Sequence, residues 1–550
     1  MSEARLALAG AVLLAAASPA AAAAASPSAG AGESIYLRGV LGSGAPLEGS
    51  RAAGAIAGAD AACASCHQRS GLGAVEGSLT IPPITGDYLF RAHDPGEPAL
   101  PYVESLRGDR APYTDATLAR AIRDGVDSQG RPLGELMPRF TLGDEDMAAL
   151  IAHLRSIGVR HVPGVTETVL HFATVVTPDA DPVKRRGMLD VLERYFVDKN
   201  RVPLKPTPPM RTSGRTQYSK SMYLANRRWE LHVWELTGPA STWRAQLERK
   251  LAAEPVYAVL SGLGGSDWGP VHAFCEQSGV PCLFPNVEVP VDADGDFWSV
   301  YFSRGVLLEA ELVAQRLVGP YGRPTVGAVM QVYRAGDSGE RAAAALAARL
   351  RELGIEVHRT VLPAGARGRA VATALQAAAR RGDRRGLALV LWLRPADVAA
   401  LGDAPPRADA VYLSGLLGGL ERTPLPAAWR ERSLMTYPFD LPAGRRVRLD
   451  YPLGWFAVRG IPLVAEQVQT DTYLACSLLA DVLNRMADNF ARPYLIEQLQ
   501  MQLEHRLITG YYPHLTLASR QRFASKGGYV VHFRDPGGSA LAAVGGWTVP

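Results

Sequence analysis

The sequence predicts a multidomain protein, a small all-α domain followed by a bilobed α/β domain, on three observations. The chain has 550 residues, 47% of them hydrophobic, too long for one ordinary domain at roughly 150 residues each and apolar enough for two or three cores. A helical pattern closes at Gly158, and from Val169 onward apolar runs of strand length alternate with amphipathic stretches of helical period. The formal charge is only +4, from 58 basic and 54 acidic side chains, which argues against a nucleic-acid-binding protein carrying a basic stripe.

The first element is Met1–Ser26. Arg5 precedes the apolar run Leu6–Ala17, and Ala-x-Ala cleavage patterns run through Ala20–Ala25. A basic start, a short apolar core and a small-residue end describe a secretory signal peptide over residues 1–26. The run is shorter than the roughly 20 apolar residues a transmembrane helix needs, with an uncleaved N-terminal anchor as the alternative. No later segment reaches that length without charges, so the mature chain is expected to be periplasmic and to carry no transmembrane segment.

Cys63-Ala-Ser-Cys66-His67 is the single C-x-x-C-H of a chain with only five cysteines, and its chance expectation is on the order of one in a thousand. Thiols at i and i+3 lie on one side of a helical turn, where both can add to the vinyl groups of one haem. His67, next along, presents its imidazole to the iron. A structural zinc site would need a second close pair of ligands, and the next cysteine is Cys275. A thioredoxin-like pair expects a strand just before the motif, whereas Gly54–Ala62 reads as a short helix of small residues. A disulfide in so tight a ring stabilises little through loop entropy.

Downstream, Ile81-Pro82-Pro83-Ile84-Thr85-Gly86 is a rigid segment suited to lie along a flat cofactor edge, and Leu136-Met137-Pro138 precedes a helix. That helix has acids in its first turn (Asp144, Glu145, Asp146), an apolar stripe at Met147, Leu150, Ile151, Leu154 and Ile157, and Gly158 just past its end. With these residues, about Ser34–Gly158 closely resembles a class I c-type cytochrome, which sets a cytochrome c domain at 34–160. The resemblance implies one covalently attached haem c with His67 and Met137 as axial iron ligands. It implies a proline carbonyl that accepts the imidazole N–H, from Pro82 or Pro83, with Ile84 where leucine is usual. Iron with both axial positions filled is low-spin and passes electrons rather than binding substrate. His93, His153 and His161 are the alternative sixth ligands, and Met147 on the helix stripe reads as core.

After a short linker the strands Val169–Val176, Trp229–Glu235, Val256–Ser261 and Pro281–Pro285 alternate with helices Val183–Lys199, Ala240–Ala253 and Gly269–Ser278. A second round gives strands Pro324–Val332, Ile355–Val361, Leu387–Leu393 and Ala410–Ser414 with helices Ser338–Leu353 and Arg369–Arg381. A loop-rich stretch with Pro438, Pro442 and Pro452 then leads to a helix over Gln469–Ala487. Such alternation argues for parallel sheets in two lobes in series.

Through Leu260-Ser-Gly-Leu-Gly-Gly-Ser266, Gly279-Val-Pro-Cys-Leu-Phe-Pro285, Tyr321-Gly-Arg and Thr470-Asp-Thr-Tyr473-Leu-Ala-Cys, residues 168–546 resemble type I periplasmic substrate-binding proteins of the branched-chain amino-acid group. The resemblance implies a small-molecule ligand in a cleft lined by strand C-termini, with Ser261, Gly265, Ser266, Glu288, Tyr333 and Ser414 as candidate residues. Glu288 falls where the family places a second hydroxyl, and an acid there repels a ligand carboxylate. With Trp268 nearby, an aromatic or alcohol-like ligand fits as well as an amino acid. A tight turn without a ligand is the alternative for the glycine-rich loop. Cys275 and Cys282 flank a helix-to-strand turn and suit either a disulfide in an oxidising compartment or two buried thiols. Cys476 reads as core.

No Ser-His-Asp, paired-carboxylate or metal constellation of convincing spacing appears in this second part. The combined expectation is a periplasmic electron carrier rather than an enzyme, with a dehydrogenase or another cytochrome as redox partner and a second domain that senses a ligand or docks that partner. The alternative is a receptor for an ABC-type importer with an accessory haem domain.

Overall fold

In the computed structural model, which describes residues 27–76, 79–92, 110–158, 162–201, 227–382, 386–403, 405–486, 489–518, 521–535 and 537–550, the chain divides into Met1–Gly158 and Val159–Pro550. The signal-peptide segment, His93, His161 and Ala487 lie outside the described residues.

In the first unit, helix Pro27–Arg38 packs against helix Asp144–Ser156. Gly32 permits the close approach, since a Cβ there would run into the Ala149 backbone. Tyr36 packs against His153 in a tilted arrangement with ring centres 5.2 Å apart, and its hydroxyl donates to the Gln68 carbonyl at 2.6 Å. Helix Asp115–Asp124 starts on a reciprocal Thr114–Thr117 capping box and stops at Gly125 in the left-handed region. Leu118, Ile122, Leu150, Ile151 and Leu154 form the core between these helices.

The unit is not all-α. It also carries β1 (Glu48–Arg51), β2 (Gly54–Ala57), β3 (Ala74–Glu76), β4 (Leu79–Ile81) and β5 (Arg139–Thr141). The order β2-β1-β5 makes an antiparallel sheet, and β3 and β4 form a hairpin. Strands of three or four residues are too short to carry a readable alternation. The expected small-residue helix at Gly54–Ala62 is instead β2 followed by a 3-10 turn over Gly58–Ala61, with Gly54 at a positive φ of 125° that interrupts any continuous helix.

The second unit holds two sheets. In the first, β6 (Val169–Val176), β7 (Arg228–Glu235), β8 (Ala258–Leu260), β9 (Cys282–Leu283) and β10 (Ser299–Val300) are parallel in the order β7-β6-β8-β9-β10. In the second, β11 (Ala328–Arg334), β12 (Glu356–Leu362), β13 (Leu387–Trp392), β14 (Ala410–Ser414) and β15 (Ser433–Tyr437) repeat that order in parallel, as β12-β11-β13-β14-β15. The sheet is then extended by antiparallel β16 (Tyr529–Phe533) and β17 (Leu541–Ala543). Each sheet reverses direction beside its first strand, and such switch points open crevices at strand C-termini.

The lobes are interleaved rather than in series. Helix Val306–Arg316 enters the second lobe's core, but Phe456 and Tyr473 pack with Val191 of the first, and Val530 returns to the second. The chain therefore crosses between lobes three times. The proline-containing stretch read as loop is largely helix Pro442–Arg459. Pro442 occupies its first turn, where no N–H is needed, and burial of Leu449 and Phe456 on one face holds it together past Pro452. Cys275 and Cys282 form a disulfide that ties helix Gly269–Ser278 to β9. Among the described residues no helix is long and apolar enough to cross a membrane.

Candidate functional site

Cys63 stands at the start of a single helical turn, Ala64–His67, and the His67 N–H donates to the Cys63 carbonyl at 2.9 Å. The buried His67 ring donates from Nδ1 to the Pro82 carbonyl at 2.8 Å. A carbonyl only accepts, so Nδ1 carries the proton and Nε2 the lone pair that a metal requires. The structure thus pairs His67 with Pro82 rather than Pro83. Pro82 is brought there by the β3–β4 hairpin: Gly73 donates to the His67 carbonyl at 3.0 Å, and a Cβ on Gly73 would strike the Ile81 and Pro82 backbone. Burial pushes the His67 pKa down and the Cys63 thiol up to about 12.

Met137 lies half-buried in the loop before β5. Its N–H donates to the Gly134 carbonyl at 3.1 Å, and its carbonyl accepts from the Arg139 guanidinium. Cys63, Ala64 and Met137 pack against one buried cluster. Two free thiols three residues apart, an imidazole of fixed tautomer and a thioether packed on the same core as Cys63 are a donor set that fits haem c. His153 is engaged with Tyr36, and Met147 is buried in the helical core.

In the second unit a cavity of about 80 Å³ opens between the lobes, enough for several waters or a compact solute. Its apolar wall includes Phe302, Pro438, Phe439 and Val468, and its polar wall includes Lys184, Asn286, Glu288, Gln467, Asp471 and Tyr512. Of the six candidates, Glu288 lines it. The Arg394 guanidinium grips the Glu288 carboxylate with two hydrogen bonds of 2.8 and 2.6 Å, Ser338 donates to it at 2.8 Å and Lys184 at 3.2 Å. Burial opposes its charge, yet Arg394 and Lys184 pull the carboxyl down to about 2. Arg394 also binds Asp337.

The glycine-rich loop is likewise satisfied from within the chain. The Ser266 N–H and hydroxyl donate to Asp179 at 2.9 and 3.1 Å, and the Gly265 N–H donates to Thr177 at 3.0 Å. A Cβ on Gly265 would overlap the Asp179 carboxylate. Ser261 is buried, pairing with Thr472 at 3.2 Å and accepting from Asn286 at 2.9 Å. Tyr333 belongs to the second lobe's core. Ser414 donates to Glu309, a buried acid pushed by burial up to about 7. Trp268 packs in the first lobe's core, against Gly262 and Gly264.

The residue sequence reasoning missed is Asp471. Its Oδ2 accepts from Tyr512 at 3.1 Å and Gln467 at 3.2 Å, while its buried Oδ1 has no partner. Burial pushes it up to about 7. The signal was present in the run Gln469-Thr-Asp-Thr472, polar yet wholly buried on helix Glu466–Met486.

The family model for Cytochrome c matches residues 52–158, so this segment is a cytochrome c domain, a class that implies haem c binding. The second unit consists of paired α/β lobes that repeat one strand order. Solved structures similar to the chain include a fatty acid ABC transporter substrate-binding protein from Thermomonospora curvata (15% identity, 70% of this chain and 94% of that one, TM-score 0.49). Another is a branched chain amino acid ABC transporter from Thermus thermophilus with bound valine (12% identity, 70% and 97% covered, TM-score 0.47). A third is a leucine binding protein from Thermotoga maritima (13% identity, 69% and 99% covered, TM-score 0.47). No curated protein matches the chain significantly.

Proposed function

We propose that the protein is an exported, periplasmic electron carrier with one haem c, whose second unit senses a small ligand in its interlobe cavity. The observation that carries the reading is the 2.8 Å bond from His67 Nδ1 to Pro82, which leaves the lone pair on Nε2 in a turn that also carries two free thiols. Haem, when bound, supplies a one-electron couple. Cys63 and Cys66 would attach it, Pro82 orients His67, and His67 and Met137 would hold its iron. A periplasmic dehydrogenase or another cytochrome is the redox partner.

The ligand reading for the second unit is supported by Asp471, whose buried carboxyl belongs to the lining of a cavity with one aromatic wall. The two places suited to a ligand carboxylate already hold Glu288 and Asp179. A compact, uncharged, hydroxyl-bearing solute therefore matches the cavity better than an amino acid, since a carboxyl near neutrality can donate to or accept from a hydroxyl.

Visible spectra of protein matured in a periplasm, oxidised and reduced, test the haem assignment. Sharp reduced α and β bands are expected, with a weak far-red band in the oxidised form that disappears in Met137→Ala. Protein without covalent haem would end this reading.

A further inference from the structure

The register of β6 and β7 brings three metal-ligating side chains together on one face of the first lobe, in a cluster unconnected with the haem residues or the cavity. His171 stands opposite Glu230, and His232 follows two residues on along β7, so all three project to the same side of the sheet. β7 is an edge strand, which leaves the cluster open to solvent: the His171 and His232 side chains are 24% and 16% exposed, and Glu230 56%. We propose that His171, His232 and Glu230 form a binding site for a divalent transition-metal cation of the zinc and copper class.

The distances suit it. His171 Nδ1 and His232 Nε2 are 3.1 Å apart, between the roughly 2.9 Å and 3.3 Å that two nitrogens about 2.05 Å from one metal span at octahedral and tetrahedral angles. Glu230 places one carboxylate oxygen 3.8 Å from His171 Nδ1 and the other 3.9 Å from His232 Nε2, and all ligand atoms lie within 4.8 Å of one another. An outer carboxylate completes the arrangement. His232 Nδ1 lies 3.2 Å from a Glu254 oxygen, and that same oxygen accepts from Trp234 Nε1 at 3.2 Å. Glu254 is thereby anchored beside the outer nitrogen of the His232 ring.

Without metal one of the two facing nitrogens, His171 Nδ1 and His232 Nε2, donates its proton to the other; a bound cation would take the place of that proton. Two imidazoles, one carboxylate and open positions select late first-row cations over magnesium or calcium. A second trio, His272, Glu276 and Asp296, differs, because Glu276 is consumed by the N–H groups of Phe297, Trp298 and Ser299.

Isothermal titration of the full chain with Zn²⁺, and separately with Mg²⁺, tests the site. One Zn²⁺ per chain is expected, weakened at least a hundredfold in His171→Ala and His232→Ala and about tenfold in Glu254→Gln, with no heat from Mg²⁺. Nitrogen superhyperfine structure in the Cu²⁺ electron paramagnetic resonance spectrum is expected to vanish in both histidine variants. Metal-free melting temperatures check folding, and Glu230→Gln at its exposed position carries the test should a histidine variant melt early. Absence of Zn²⁺ binding, or binding undiminished in variants that melt with the wild type, overturns the proposal.

Discussion

The haem residues of the first unit and the cavity of the second are built at opposite sequence ranges. Cys63, Cys66, His67 and Pro82 fall within one short segment, and the hydrogen bond that orients His67 spans fifteen positions. The cavity draws on Lys184, Glu288, Phe439, Asp471 and Tyr512, brought together only by the repeated crossing of the chain. Covalent attachment dictates a spacing, whereas a cleft dictates only a final arrangement in space. The first kind of site therefore survives as a motif, and the second dissolves into ordinary helices and strands.

The largest expected effect tests the self-sufficiency of the first site. Replacing Cys63 and Cys66 together with Ala removes covalent haem entirely, read by haem staining of denatured protein, and leaves the chemical unfolding of the second unit, followed by tryptophan fluorescence, where it was. A shift in that transition would show that the two regions are not separable.

An intermediate effect probes the second. Arg394→Ala leaves Glu288 facing only Lys184 and Ser338, and an ion pair broken on one side costs about 3 kcal/mol. Urea unfolding of the second unit should register that loss while the haem spectrum stays unchanged.

The smallest effect concerns acidity and has two signs in one unit. Glu288, held down to about 2, contributes stability that is present above its unfolded value near 4.5 and is lost as pH falls toward 2. Glu309, raised to about 7, binds its proton more tightly when folded, so its contribution is complete below about 4.5 and is lost as pH rises through 7. Glu309→Gln should therefore raise the melting temperature at pH 8 and leave it nearly unchanged at pH 4. Equal shifts at both values would mean that Glu309 is ionised throughout.

What the sequence made legible follows the same division. The C-x-x-C-H motif could be read from residue types alone, while Pro82 and Met137 needed the resemblance, because nothing in their neighbours demands an iron nearby. In the second unit, long apolar strands such as Val169–Val176 and Leu387–Trp392 announced themselves, being buried and flanked by helices. Two-residue strands such as β10 did not. Lobes in series were the natural reading of an alternating pattern, since periodicity says nothing of which sheet a helix joins. Glu288 drew notice as an acid out of place, but its partner Arg394 lies more than a hundred residues away, and nothing local links the two. Asp471 sat in a segment already singled out, yet a polar residue on a helix is usually a solvated one, and only its burial makes it unusual.

The three crossings have a consequence for how the molecule is made. The first sheet receives helices from beyond Pro442, and the second receives β16 and β17 from beyond Tyr529. During synthesis the first lobe cannot close until the helices beyond Pro442 have emerged, nor the second until the segment from Tyr529 onward has, so maturation of the pair is a late event. A product truncated before Tyr529 would leave β15 as a raw sheet edge, open to strand exchange with its own copies.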